Sequence, residues 1–300
     1  MGESLSGRVA VVTGAGAGLG RAEAIGLARE GATVIVNDLA SALSESDVLD
    51  EIAAAGSRGV AVAGDISSSE TASEIMRTAT EDLGGLNIVV NNAGVVRDTM
   101  LFNMTDDDWD LVQRVHLRGH FLLNRNAAAY WRATAKESGG TTYGRLINTS
   151  SEAGLLGPPG QANYAAAKAG ITALTLSASR ALGRYGVTAN AICPRARTAM
   201  TADVFGEEPD LPAGELDPLS PEHVVELVRY LASPASDAVN AQLFVVYGPQ
   251  VAMIAAPTVA GRFAAAGSGW APGELAGAFA DYFAEHDPAD CFSVMGLLEK

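Results

Sequence analysis

Tyr164 and Lys168 lie four residues apart in the run Asn163-Tyr164-Ala165-Ala166-Ala167-Lys168. On a helix this spacing stacks the phenol and the ammonium on one face. A neighbouring cation favours phenolate over phenol and draws a tyrosine pKa down from about 10. Tyr164 could then trade a proton with a substrate alcohol. The chain has three lysines in all, so one in this register is less easily a product of chance. Thirteen residues before Tyr164 stands Ser151, whose hydroxyl could hydrogen-bond the same substrate oxygen as negative charge grows on it.

These side chains need elements to hold them. Ser151 ends the apolar run Arg145 to Ser150, which reads as a buried strand. Near the N-terminus a second such run, Val9 to Val12, enters the turn Thr13-Gly14-Ala15-Gly16-Ala17-Gly18-Leu19-Gly20, after which a helical pattern begins. A glycine-rich turn between strand and helix lets backbone N–H groups approach a diphosphate at the positive helix end. The next strand-like run, Thr33 to Asn37, is followed by Asp38, 18 residues beyond Gly20. That spacing fits the acidic residue that binds an adenosine ribose.

The alternation continues along the chain. Strand-like runs recur at Gly59 to Ala63, Leu86 to Asn91, Arg145 to Ser150, Thr188 to Cys193 and Gln242 to Val246. Helical patterns cover Arg21 to Glu30, Val48 to Ala55, Ser69 to Leu83, Asp106 to Thr134, Ala162 to Tyr185 and Pro221 to Ala232. Such alternation implies right-handed crossovers and a parallel sheet covered on both faces. It continues without a linker, so residues 1–248 are expected to form one α/β domain. Residues 249–300 form a C-terminal extension, with a helix expected at Pro272 to His286, that packs on the same domain or on a partner subunit.

The glycine turn, Asn91-Asn92-Ala93-Gly94, Ser151 and the Tyr164/Lys168 pair together resemble the short-chain dehydrogenase/reductase family over residues 7–248. Val36-Asn37-Asp38-Leu39 and Val115-His116-Leu117-Arg118-Gly119 are further similar to the (3R)-hydroxyacyl-CoA dehydrogenase branch. The resemblance implies a doubly wound Rossmann fold with a seven-stranded parallel sheet. It implies Ser151, Tyr164 and Lys168 as the catalytic group, with Lys168 also holding the nicotinamide ribose. His116 stands where most of the family has an asparagine that anchors a relay water, and a neutral imidazole can bridge a water too. Gly14, Gly18, Leu19 and Gly20 are implied at the diphosphate, Asp65 and Ile66 at the adenine, and Asn92, Ala93 and Gly94 along the cofactor. Pro194 with Thr198 or Thr201 is implied at the nicotinamide, although Arg195 replaces the usual glycine. The carboxylate of Asp38, with no arginine at Ala15, Gly16 or Ala17, points to NAD. A homodimer or homotetramer built on the long helices is implied as well.

Composition narrows the partners. A net charge of −15 argues against nucleic acid or an anionic membrane, because counterion release needs clustered Lys and Arg. Cys193 and Cys291 form neither a disulfide framework nor a metal motif, the four histidines are scattered, and no metal is expected. Thr105 followed by Asp106, Asp107 and Asp108 reads as a capped helix start and not as a metal cluster. No secretory leader is read at the N-terminus, so a cytoplasmic protein is expected. The uncharged stretch from Ala238 to Gly261 contains prolines, and a final strand plus an apolar loop suits it better than a membrane span.

An NAD-dependent oxidoreductase for a secondary alcohol, in particular a 3-hydroxyacyl-CoA, is therefore expected. Arg195 and Arg197 suit the phosphates of coenzyme A, or else are paired with carboxylates. A hydroxysteroid or other lipophilic alcohol is the alternative substrate. A dinucleotide-binding protein without turnover is a third possibility.

Overall fold

The computed structural model describes residues 4–198, 201, 206, 209, 212 and 215–287. Cys291 lies outside the described residues. The strands are β1 (Val9–Thr13), β2 (Thr33–Asp38), β3 (Gly59–Ala63), β4 (Ile88–Asn91), β5 (Gly144–Thr149), β6 (Val187–Arg195), β7 (Leu243–Tyr247) and β8 (Gln250–Met253). The α-helices are α1 (Gly18–Arg29), α2 (Ala40–Ser44), α3 (Val48–Ala54), α4 (Ser69–Arg77), α5 (Asp106–Gln113), α6 (Gly119–Glu137), α7 (Ala153–Leu156), α8 (Ala162–Leu182), α9 (Pro221–Ala232) and α10 (Glu274–Glu285).

All eight strands form one sheet in the order β3-β2-β1-β4-β5-β6-β7-β8. The first seven strands are parallel, as expected. The eighth corrects the seven-stranded expectation. β8 returns antiparallel on β7, pairing Tyr247 with Gln250 across a tight turn that Gly248 makes at φ +53°. All four of its residues are exposed, although Val251-Ala252-Met253 is apolar and falls in the stretch expected to be a loop.

Alternate strand residues serve opposite faces, as the period of two requires. Ala10, Val12, Val34, Val36, Ile88 and Val90 pack with Leu27 of α1, Ile52 of α3 and Val228 of α9. Val9, Val11, Ile35 and Val89 pack with Ile75 of α4, Leu123 and Trp131 of α6 and Leu182 of α8. Each such side chain taken fully out of water contributes about 1.5–3 kcal/mol. Trp131 Nε1 also donates to Leu86 O at 2.7 Å, which sets α6 against the start of β4.

Strand order reverses between β1 and β4, the place where open α/β sheets bind ligands at their carboxyl edge. The acidic run after Thr105 is the capped helix start expected. Thr105 Oγ1 accepts from Asp108 N at 3.1 Å, and Asp106 to Asp108 fill the first turn of α5. The expected helix Asp106 to Thr134 runs on to Glu137, with one irregularity inside it. A π-turn at Arg114–Arg118 separates α5 from α6.

The chain divides into two compact units, one ending at Ile254 and the other beginning at Ala255. The first is the sheet with its helices. In the second, Phe263 sits edge-on to Phe279 at 5.0 Å and to Tyr282 at 5.4 Å, and no residue of α10 is buried. Among the described residues no helix is long and apolar enough to cross a membrane.

Candidate active site

The turn after β1 takes its shape from glycine. Gly14 has φ +64°, and a Cβ there would come within 2.8 Å of Ala93 Cα. Gly18 has φ +54° and opens α1. A Cβ on Gly20 would run into the carbonyl of Gly14. Ala17, at the N-cap of α1, offers no side-chain acceptor, so the helix's first N–H groups depend on another partner. An anion such as a diphosphate suits them.

Asp38 closes the other side of this turn. Its Oδ2 accepts from Gly16 N and its Oδ1 from Leu39 N, at 2.9 and 2.8 Å. Across the switch point, Asn92 Nδ2 donates to Thr13 O at 3.1 Å, while the N–H groups of Asn92 and Ala93 donate to Thr13 Oγ1 at 3.0 and 3.1 Å. Asn92 and Ala93 thus fasten the end of β4 to the end of β1. Asp65 Oδ1 caps the turn after β3 by accepting from Ser67 N at 2.8 Å.

A cavity of about 490 Å³ joins these segments. Gly14, Gly18, Leu19, Asp38, Asp65, Ile66, Asn92, Ala93 and Gly94 line one part of it. His116, Ser151, Tyr164, Lys168, Pro194 and Thr198 line another. The sequence candidates therefore converge on one space, with Gly20 supporting the turn from behind. Thr201 also lines the cavity, and its Oγ1 accepts from Thr198 N at 2.9 Å. Both threonines named as alternatives for the nicotinamide contact are present together.

Lys168 is buried, and its Nζ donates to Thr149 O at 2.6 Å. It lies 5.3 Å from the centroid of the Tyr164 ring. Ser150 Oγ donates to Lys168 O at 2.9 Å and so holds α8 against the end of β5. Burial pushes the Tyr164 phenol up to about 12, with the Ser151 hydroxyl pulling the other way, and brings the Lys168 ammonium down to about 7. The expected drop in the tyrosine pKa is therefore not present in the chain alone. Desolvation penalises a single charge on either group, whereas phenolate and ammonium formed together partly cancel that penalty.

His116 is buried on the π-turn, with its ring 5.2 Å from the Tyr164 ring and edge-on to it. Its Nε2 meets both the N–H and the carbonyl of Val95, at 3.0 and 2.7 Å, and its Nδ1 has no hydrogen-bond partner. A Cβ on Gly94 would strike this ring, so that glycine makes room for the histidine. Burial and then the Lys168 charge hold the imidazole well below its usual pKa, which keeps it neutral.

Sequence reading missed several contributors. His120, one turn beyond His116, donates from Nδ1 to the His116 carbonyl, 2.8 Å away. Burial and Lys168 bring its pKa to about 3. The spacing of four between the two histidines was the available signal. Asn163 Nδ2 donates to Arg97 O at 3.0 Å and Asp108 O at 3.3 Å, holding the start of α8 to α5.

Arg195 and Arg197 are paired within the chain. Arg195 Nε and Nη2 reach the two carboxylate oxygens of Glu152 at 2.6 and 2.8 Å. Arg197 Nε reaches Asp217 Oδ2 at 3.0 Å, and its Nη1 donates to Gly206 O. The carboxylate alternative fits these geometries better than the expected grip on coenzyme A phosphates. Among the described residues no group of three or more His, Cys, Asp or Glu side chains is placed to hold a metal ion.

Comparison with known proteins agrees with this architecture. Residues 8–209 match the family described as short chain dehydrogenase. The chain is 67% identical to Hydroxyacyl-CoA dehydrogenase ChsB1 of Mycobacterium tuberculosis, over 99% of this chain and 95% of that protein. It is 39% identical to Peroxisomal multifunctional enzyme type 2 of Mus musculus, over 80% of this chain and 31% of that protein. A crystal structure of a short chain dehydrogenase from Mycobacterium avium superposes with a TM-score of 0.81 at 41% identity, covering 94% of this chain and 96% of that one. With the nucleotide-type turn, the sheet order and the Ser151, Tyr164 and Lys168 cluster in one cavity, the chain belongs to the short-chain dehydrogenase family.

Proposed function

We propose that the protein uses NAD to interconvert a 3-hydroxyacyl-CoA and the corresponding 3-oxoacyl-CoA. The observation that carries the reading is the convergence of Ser151, Tyr164 and Lys168 on the cavity that also contains the glycine turn and Asp38. The 67% identity to a hydroxyacyl-CoA dehydrogenase supports the substrate class.

The dinucleotide, when bound, supplies or accepts the hydride. The residues present fit it: Gly14, Gly18 and the uncapped N-terminus of α1 suit the diphosphate, and Asp38 suits a ribose diol. A carboxylate at that position repels a 2′-phosphate, which favours NAD over NADP. Tyr164 Oη exchanges the proton with the substrate oxygen, and Ser151 Oγ donates to that oxygen as charge builds on it. Lys168 forms an ion pair with the phenolate at the moment the proton has left. His116 Nδ1, buried and without a protein partner, suits a water that carries the proton onward.

A second reading, oxidation of a hydroxysteroid or another lipophilic alcohol, draws support from the pairing of Arg195 and Arg197 with carboxylates. A screen of NAD reduction with hydroxyacyl-CoA thioesters and with free hydroxysteroids separates the two. Turnover confined to alcohols without CoA removes the acyl-CoA reading. Absence of any turnover with tight NAD binding leaves a binding protein.

A further inference from the structure

The Arg195–Glu152 pair has no part in the chemistry described so far, yet it is joined to the residues that do. Glu152 follows Ser151 directly and stands at the N-cap of α7. Ser151 Oγ accepts from Ala153 N at 3.1 Å, so the direction of the serine hydroxyl depends on the turn Ser151-Glu152-Ala153. Arg195 ends β6, in register with Tyr247 of β7, and its guanidinium carbon lies 5.5 Å from the Tyr247 ring centroid. Pro194 and Ala196 on either side of it line the cavity that holds Tyr164, which leaves Arg195 on the opposite face, towards α7. The two side chains are only 15% and 13% exposed, and their contact is bidentate. An interaction of this geometry fixes orientation as well as charge.

The carboxylate of Glu152 also acts on the site electrically. After burial, its charge is the largest influence pushing the Cys193 thiol up to about 12. Ser151, the chain neighbour of Glu152, hydrogen-bonds the Tyr164 phenol, so the carboxylate charge stands close to the group that ionises. An uncompensated anion here would oppose the phenolate that Tyr164 must form. An uncompensated cation would favour it.

We propose that Arg195 and Glu152 are a positioning pair for the active centre: the bidentate contact fixes the turn that aims Ser151, and the guanidinium cancels a carboxylate charge that would hinder ionisation of Tyr164. The inference rests on the assignment of Tyr164 as the proton-exchanging residue. The other charged or titratable groups around Tyr164 are Lys168 on α8, His116 on the π-turn, Cys193 on β6, and Asp98 and Arg97 on the segment after β4. None of these residues is substituted in the variants of the pair, and of them Cys193 feels the Glu152 charge directly.

The test compares kcat against pH for a racemic 3-hydroxyacyl-CoA thioester with NAD in the wild type, Arg195→Met, Glu152→Gln, the double variant and Arg195→Lys. Tyrosinate absorbance of the NAD complex, taken as the difference from the same protein carrying Tyr164→Phe, gives a second readout that needs no substrate. Arg195→Met leaves the carboxylate alone and should raise the Tyr164 transition by about one pH unit, whereas Glu152→Gln should lower it by a similar amount. The double variant should return close to the wild-type transition with a reduced kcat. Arg195→Lys keeps the charge but not the fork, so its transition should stay in place while kcat falls severalfold. Shifts of the two single variants in one direction, or no shift in either, overturn the proposal, because loss of structure alone has no reason to produce opposite signs. If a single variant does not fold, the double variant and Arg195→Lys decide. A wild-type kcat in Arg195→Lys or a displaced transition in the double variant overturns it. A Tyr164→Phe enzyme with normal turnover defeats the assignment of Tyr164 instead, whatever the pair does.

Discussion

Replacing Tyr164 with phenylalanine keeps the ring that packs edge-on to His116 and removes the one proton the site has to move. Turnover should fall by roughly a hundredfold or more, with dinucleotide affinity almost unchanged, as steady-state kinetics and a binding titration would show. Near-normal turnover would dispose of the assignment. At Asp38 the expectation is one of selectivity. The wild type should have a higher kcat/KM with NAD than with NADP, and Asp38→Ala should lose most of that difference. Absolute efficiency with NAD should fall as well, since the change also removes the acceptor for Gly16 N. A wild-type preference for NADP contradicts the reading. The register of Tyr164 with Lys168 was legible because a helix makes residues four apart into neighbours. Glu152 was not, because its partner lies 43 residues away and an ion pair leaves no mark on local periodicity.

At the scale of elements, the alternation of strand and helix was legible for a physical reason: parallel strands buried on both faces must be apolar throughout, and that pattern differs from a helix stripe. The π-turn inside the helix Asp106 to Thr134 was not legible in the local periodicity. Arg114 to Arg118 contains no proline or glycine, and the π-turn answers a tertiary demand, the seating of His116 against Gly94 and Val95. Glu23 on α1 escaped notice as well. It is fully buried with both carboxylate oxygens unpartnered, and burial pushes its pKa up to about 8. In the unfolded chain the same group ionises near 4.5. Its contribution is fully present below that pH and is lost as pH rises through the folded pKa near 8. Across that window the folded state holds a proton the unfolded state has released, which lowers stability by about 1.4 kcal/mol per pH unit. Glu23→Gln keeps the shape and abolishes the titration. Thermal melts of the variant and the wild type should nearly coincide around pH 5 and diverge in favour of the variant by pH 8. A constant difference between the two across this range would show that the carboxyl finds a partner.

For the molecule as a whole, the division after Ile254 relocates the boundary expected at residue 248, because β8 belongs with the sheet. A cut after Gly248 would strip β8 from β7 and confuse loss of the tail with damage to the sheet edge. The informative truncation ends at Ile254. Beyond it, Trp270, Phe279 and Phe283 are 42%, 42% and 48% exposed, and α10 buries none of its residues. An apolar helix left in water costs free energy, and monomeric proteins rarely present several large apolar side chains on one small unit. We expect this face to be covered in the assembled protein, by a second copy of the chain. The shortened protein should therefore melt cooperatively and bind NAD like the full chain, while its mass in solution falls to a lower oligomer by light scattering. If it keeps the oligomeric order of the full chain, the long helices α5, α6 and α8 carry the assembly without the tail. The tail's role would then be sought in the KM for long acyl chains.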